Sequence, residues 1–446
     1  MTKDMTTGNP LRLIWQFSVP LVFGNLFQQL YNLVDTIIVG RYLGLLSLTA
    51  VGATNSIMFL IIGFCSGTCT GIGVPVAQRF GAKDYSEMRK YVMNAVYLCL
   101  IIAAGLTVAT CLLCDDILTW MSTPTDIFDQ SYSYLFIIFL GLPFTILYNA
   151  TASVIRALGD SKTPFYFLAF STVLNIVLDL IFIISFQMGV AGAAIATIAA
   201  QAVSGILCLI FMIKRYDILK CDREERTFRA GYIGTLVKMG VPMGLQFSIT
   251  AIGSIILQSA VNTLGTVYVS AYTSALKVQQ LAMCPFDAFA TAGSTFGGQN
   301  LGARQFKRIR QGVLCSVGIA LIYSAGIGLV LIFAGSKIAL LFVSAAETEV
   351  LGYVQQLLTV SGIFFWLLAI LNCTRMAIQG LGYSAAAMLA GCSELVARGL
   401  MALVFIPLTG YHAVCYTSPL AWAFAVCVVV PMFLIVVRRL ERKYMV

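Results

Sequence analysis

Four acids and three bases fall inside long apolar runs: Asp35, Asp179, Asp287 and Glu394, with Lys277, Arg375 and Arg398. A charge at the centre of a bilayer costs at least ~2.5–3.5 kcal/mol on insertion scales, so each needs an offsetting partner or a function. Asp35 stands in Leu33-Val-Asp35-Thr36, with Gln28 seven and Tyr31 four residues before it. Those offsets put an amide, a phenol and a carboxylate on one helical face. Asn175 precedes Asp179 by four residues in another apolar run. Thr197 closes Gly192-Ala-Ala-Ile-Ala-Thr197, a small-residue stretch that admits a close neighbour. Two acids with amide and hydroxyl oxygens can hold a hard cation such as Na+. They can equally take up and release a proton, and the residues alone leave both chemistries open.

A second constellation lies further along. Glu394 and Arg398 are four apart, a spacing that suits an ion pair along one helix. Lys277, Asp287 and Arg375 are expected to complete a polar network around it. A paired acid is less free to titrate, so this half is expected to serve structure or substrate contact, and the first half ion coupling. Enzyme chemistry finds no footing. The single histidine is His412, and HExxH, a Ser/His pair and a P-loop are all missing from the sequence. Cys111-Leu-Leu-Cys114 closes an apolar stretch with no histidine near it and reads as packing. No catalytic residue and no cofactor beyond a coupling ion are expected.

The elements that must carry these residues follow from composition. The chain has 446 residues, 59% hydrophobic and 11% charged, against about 25% charged in soluble domains. Long continuous apolar runs exclude a transmembrane barrel, whose strands alternate over ~10 residues. Twelve spanning helices are predicted, at approximately 11–38, 45–77, 90–114, 130–155, 163–186, 190–213, 232–262, 266–297, 310–336, 348–379, 384–408 and 413–437. With these spans, 23 of the 28 Lys and Arg residues fall on one side, among them the cluster from Lys214 to Lys238. That asymmetry predicts both termini in the cytoplasm of a multi-pass protein of the cell membrane. It also accounts for the net charge of +9 without nucleic acid. The first span is too long for a cleavable signal and lacks its cleavage site.

The chain also repeats itself. Gln78-Arg-Phe-Gly81-Ala-Lys83 matches Gln299-Asn-Leu-Gly302-Ala-Arg304, Ala157-Leu-Gly159 matches Gly380-Leu-Gly382, and Pro20 matches Pro242, all at offsets near 222. Six spans per half is an even number, so the halves share one orientation. The expected fold is an all-α integral membrane protein of two pseudo-symmetric six-helix bundles related by a two-fold along the membrane normal, a plan that places a substrate path near the midplane. The lobes are assigned to 1–213 and 232–446, with a cytoplasmic linker at 214–231. Gly63, Gly67 and Gly71 recur every four residues and predict close helix packing. Pro20, Pro75, Pro143, Pro242 and Pro285 lie inside spans and permit kinks.

Twelve spans in two halves, Val34-Asp35-Thr36-Ile-Ile-Val-Gly40, Gln78 through Lys83 and Gln299-Asn300-Leu-Gly302-Ala303 together resemble the multidrug and toxic compound extrusion (MATE) family over nearly the whole chain. The resemblance implies a secondary antiporter that exports small amphiphilic, mostly cationic compounds against inward Na+ or H+, by alternating access between the lobes. It implies that Asp35, Asn175, Asp179 and Thr197 form the cation or proton site, and that Gln28 and Tyr31 line the same lobe's cavity, to which Asn149 is added. In one branch of that family the second lobe carries acids on spans 7 and 10; this chain has Thr250 and Leu368 there, which favours the first-lobe site. A monomer is expected. The alternative reading is a lipid-linked oligosaccharide or other amphiphile flippase of the same superfamily, disfavoured because only three bases lie in the membrane region.

Overall fold

The computed structural model describes residues 2–444, and among them the secondary structure is helical, with no strand. The first helix, α1 (Pro10–Gly81), runs 72 residues, about 108 Å at 1.5 Å per residue. A hydrocarbon core of ~30 Å cannot take it as one span. It divides at Gly44, whose φ of 86° is a left-handed value that glycine adopts freely, so α1 supplies two spans. Gly44 is its one non-helical residue, and Pro20 therefore lies within continuous helix.

The chain continues through α2 (Tyr85–Leu112), the short α3 (Cys114–Trp120), α4 (Thr125–Leu140), α5 (Leu142–Ala157), α6 (Lys162–Leu180) and α7 (Gly189–Arg215). It then forms α8 (Ala230–Asn262), α9 (Thr266–Gly302), α10 (Phe306–Ala339), α11 (Thr348–Gly380), α12 (Ser384–Leu400), α13 (Ile406–Thr409) and α14 (Tyr411–Tyr444). Helices α4 and α5 meet at 45° and together make one broken span. Pro143 opens α5 at its first turn, where its missing N–H has no helical partner to lose. Among the described residues nine helices are long and apolar enough to cross a membrane, ten with the α4–α5 pair. Counting α1 twice and adding the 37-residue α9, which is too polar to pass on composition, gives twelve.

The repeat is written into the backbone. Lys83 and Arg304 take matching left-handed φ values of 58° and 56°, and Gly159 and Gly382 take 84° and 90°. One π-helical turn follows α6 (Ile181–Ser185), and another follows α12 (Met401–Phe405). By contacts the chain forms two compact units, one of residues 1–4 and 23–244, the other of 5–22 and 245–446.

In lipid there is little hydrophobic drive between helices, so close packing of small residues carries the association. Within the first unit a Cβ on Gly71 would fall 2.6 Å from the Cα of Gly240, so span 2 and α8 touch backbone to backbone. Within the second, a Cβ on Gly328 would fall 2.6 Å from the Gly362 carbonyl oxygen. There Phe286 meets Phe365 edge-on and Phe365 meets Trp422 at a tilt, with ring centroids 5.5 and 5.8 Å apart, within a buried core.

The segment after α7 is folded onto α2. Glu225 accepts from Arg89 Nε at 2.6 Å, from Arg89 Nη2 at 2.7 Å and from Ser86 at 2.8 Å. It also accepts from the Asp222 N–H, closing a capping box. Asn94 takes the Arg229 N–H at 2.9 Å, and Tyr97 donates to the Arg226 carbonyl at 2.6 Å. The Arg89 guanidinium holds the Glu225 carboxyl down to about 2.

Candidate functional site

Helices α1, α6 and α7 bring the predicted first-half residues together. Asp35, Asn175 and Asp179 are all buried, Asp179 completely. Asp179 lies in the last turn of α6, directly before the π turn at 181–185; such turns frequently mark functional sites. Gly192 lets α7 approach that turn, since a Cβ there would stand 3.2 Å from the Phe182 Cβ.

The hydrogen bonds are directional. With its amide oriented to suit its neighbours, Asn175 donates from Nδ2 to Asp179 Oδ2 at 3.0 Å, and its Oδ1 accepts from the Thr197 backbone N–H at 3.2 Å. Thr197 Oγ1 donates to the Ala193 carbonyl at 3.1 Å. Its one proton is thereby spent, so Tyr31 is the donor in the 3.1 Å contact between the two hydroxyls. Asp35 and Asp179 lie close enough to interact electrostatically. Oδ1 of each finds no hydrogen-bond donor. Two buried carboxylates at that range repel unless a proton or a cation is held between them.

Beside this group opens a small pocket of about 20 Å³, lined by Gln28, Tyr31, Thr172, Asn175, Thr197 and Gln201 among others. That volume suits a water or an ion rather than a drug. Gln28 is exposed and Tyr31 half-buried. Asn149 does not line the pocket; its amide donates to the Thr145 carbonyl of its own helix at 2.8 Å. One residue escaped sequence reasoning. Tyr134 on α4 is buried within electrostatic reach of Asp35, Tyr31 and Asp179. Gln130 and Ser131 stand four and three residues before it, but nothing on its own helix points to the acids on α1 and α6.

The second-half charges form a chain of contacts. Arg398 Nη2 lies 3.6 Å from Glu394 Oε2, but the tighter partner of Glu394 is Arg375, whose Nη1 reaches Oε1 at 2.9 Å from α11. Arg375 also donates to Asn372 Oδ1 at 2.7 Å, and Asn372 Nδ2 donates to Asp287 Oδ1 at 3.0 Å. Arg398 caps the far end on the Thr250 carbonyl and the Ser254 hydroxyl, each at 3.3 Å. Lys277 stands apart: it is exposed, with its ammonium 5.4 Å from the centroid of the Phe342 ring. Among the described residues no group of three or more His, Cys, Asp or Glu is placed to hold a metal.

Comparison with known proteins bears on the family and the fold. A family model described as MatE matches the chain twice, at residues 20–181 and 242–404. The probable multidrug resistance protein YpnP of Bacillus subtilis (strain 168) is 32% identical over 310 residues, 69% of this chain and 68% of that protein. The probable multidrug resistance protein YoeA of the same organism is 30% identical over 357 residues, 78% of this chain and 77% of that one. Among solved structures, a MATE in complex with MaL6 superposes with a TM-score of 0.93 at 23% identity, covering 99% of this chain and all of its own. An outward-facing multidrug resistance MATE family transporter of the MOP superfamily gives 0.92 at 23% identity, over 98% of both chains. The solved structures establish the twelve-helix fold. The family match in each half and the relatives at 30% identity or more carry the rest: this chain belongs to the MatE family of membrane transporters and is not an enzyme.

Proposed function

We propose that the chain exports small amphiphilic, chiefly cationic compounds across the cell membrane in exchange for an inward-moving cation. Both termini lie in the cytoplasm, lobes 1–213 and 232–446 alternate access as a monomer, and 214–231 joins them. The observation that carries this reading is the buried pair of Asp35 and Asp179, with Asn175 donating to one of them.

The same geometry favours a proton over Na+ as the coupling ion. A sodium ion needs several free oxygens. Here the Asn175 oxygen is engaged by the Thr197 N–H, and the Thr197 hydroxyl is engaged at both ends. The oxygens with no hydrogen-bond partner at all are Oδ1 of Asp35 and Oδ1 of Asp179, and one proton suffices to neutralise a carboxylate. Proteoliposomes given pH and sodium gradients separately test this. Export of a cationic dye driven by a pH gradient without sodium is the expected result. Export driven only by a sodium gradient assigns the pair to Na+, and export indifferent to both gradients defeats the coupling assignment.

A further inference from the structure

Of the two acids that lie well inside apolar spans of the second unit, Glu394 is buried and Asp287 is exposed. Asp287 is exposed, although it lies three residues past the midpoint of α9, a helix of 37 residues. A helix of that length spans about 55 Å, so a hydrocarbon core of ~30 Å centred on it contains Asp287. An exposed acid at that depth is sustained by water or by a ligand, since lipid offers it nothing.

Its neighbours on the helix face share that character. Gln280 lies seven residues before Asp287 and is exposed; Met283 and Thr291 lie four residues to either side and are half-buried. These offsets align an amide, a thioether, a carboxylate and a hydroxyl in one stripe. Methionine adapts its shape to varied apolar surfaces, so the stripe is chemically amphiphilic.

The carboxylate is also aimed. Asn372 grips Oδ1 at 3.0 Å, Arg375 grips Asn372 at 2.7 Å, and Glu394 grips Arg375 at 2.9 Å. Asn372 stands between Asp287 and Arg375, whose guanidinium is shared between Asn372 and Glu394. Arg375, Glu394 and Arg398 sum to one positive charge, which Asp287 balances from the open end. Among the described residues Oδ2 of Asp287 has no hydrogen-bond donor.

We propose that Asp287 binds the positive charge of the exported compound, with Asn372 as the positioning residue that aims it. This rests on the export reading above and adds the group that recognises the cargo. The ligand class is an organic cation with an apolar body, which the Met283 side of the stripe would contact.

The test is binding to purified full-length protein in lipid nanodiscs, with two probes: ethidium, a monocation, and Nile red, an uncharged amphiphile. Asp287→Asn preserves shape and removes the charge. It should weaken ethidium by about tenfold or more, the worth of one charge-assisted contact, and leave Nile red within about twofold of wild type. Asp287→Glu should restore most ethidium affinity, and Asn372→Ala should weaken ethidium alone, by a smaller factor. Ethidium held as tightly by Asp287→Asn as by wild type overturns the proposal. So does equal loss of both probes, which makes Asp287 a residue of the fold. Loss of pH-driven export in Asp35→Asn with ethidium binding intact leaves the two readings separable. A wild-type protein that binds ethidium but exports nothing defeats the export reading while leaving this one standing.

Discussion

Asn175 holds Asp179 from one turn earlier on the same helix, its Nδ2 donating to Oδ2 at 3.0 Å while its own oxygen takes the Thr197 N–H. One oxygen of Asp179 is thereby committed, and Oδ1 is left without a hydrogen-bond partner.

Neutralising either acid should uncouple the transporter. Asp35→Asn and Asp179→Asn are each expected to abolish gradient-driven efflux in proteoliposomes while the protein still folds and binds dye. Undiminished efflux in both variants would sink the assignment.

The Tyr31 and Thr197 hydroxyls should act as one unit. Tyr31→Phe removes the donor to Thr197, and Thr197→Ala removes its acceptor. Each is expected to slow pH-driven export severalfold, about 1 kcal/mol for a lost hydrogen bond. The double variant should be little worse than either single one, because both remove the same contact. Fully additive losses in a double-mutant cycle would contradict the pairing.

Glu394 should be a stability residue. It is the shared partner of Arg375 and Arg398, so Glu394→Gln strips both of their counter-charge inside the second unit. Breaking a buried pair of this kind costs about 3–5 kcal/mol. A thermal-unfolding scan of the purified protein should show a clearly lowered midpoint, and an unchanged midpoint would argue against a structural role.

The segment folded onto α2 should open in acid. The Glu225 carboxyl is held near 2, below its ordinary 4.5, chiefly by hydrogen bonds from Arg89. A carboxyl held down in the folded state stabilises while ionised. This docking is therefore complete above pH ~4.5 and is lost as the pH falls from there toward 2. Pepsin digestion should cut 216–229 progressively faster through that window, and Arg89→Ala should expose the segment to trypsin at neutral pH. Cleavage that does not change from pH 5 to 2.5 would contradict this.

Much of the plan can be read without coordinates, because lipid enforces it. Apolar length marks most spans, and the offset near 222 recurs as paired left-handed residues at Lys83 and Arg304. The Asn175–Asp179 spacing shows as a local helical relation, which periodicity captures. Relations between helices are a different matter. The partner expected for Glu394 was Arg398, four residues on, whereas the shorter contact comes from Arg375 on a neighbouring helix. Lys277 had the right residue type and approximate depth for the network but points to Phe342. Tyr134 and Asn372 gain their roles only from what folds beside them.

The polar face of α9 also bears on how the molecule is made. A helix with Lys277 and Asp287 in its span carries two residues that each cost ~2.5–3.5 kcal/mol during translocon insertion, and it is too polar to pass as a span on composition. Threaded into lipid alone, it would tend to slip back toward water. Among the described residues its one polar partner for Asp287 inside the span is Asn372 of α11, which arrives later in the chain. Biogenesis of the second half is then expected to be cooperative, with α9 settling in the bilayer once α11 has been made.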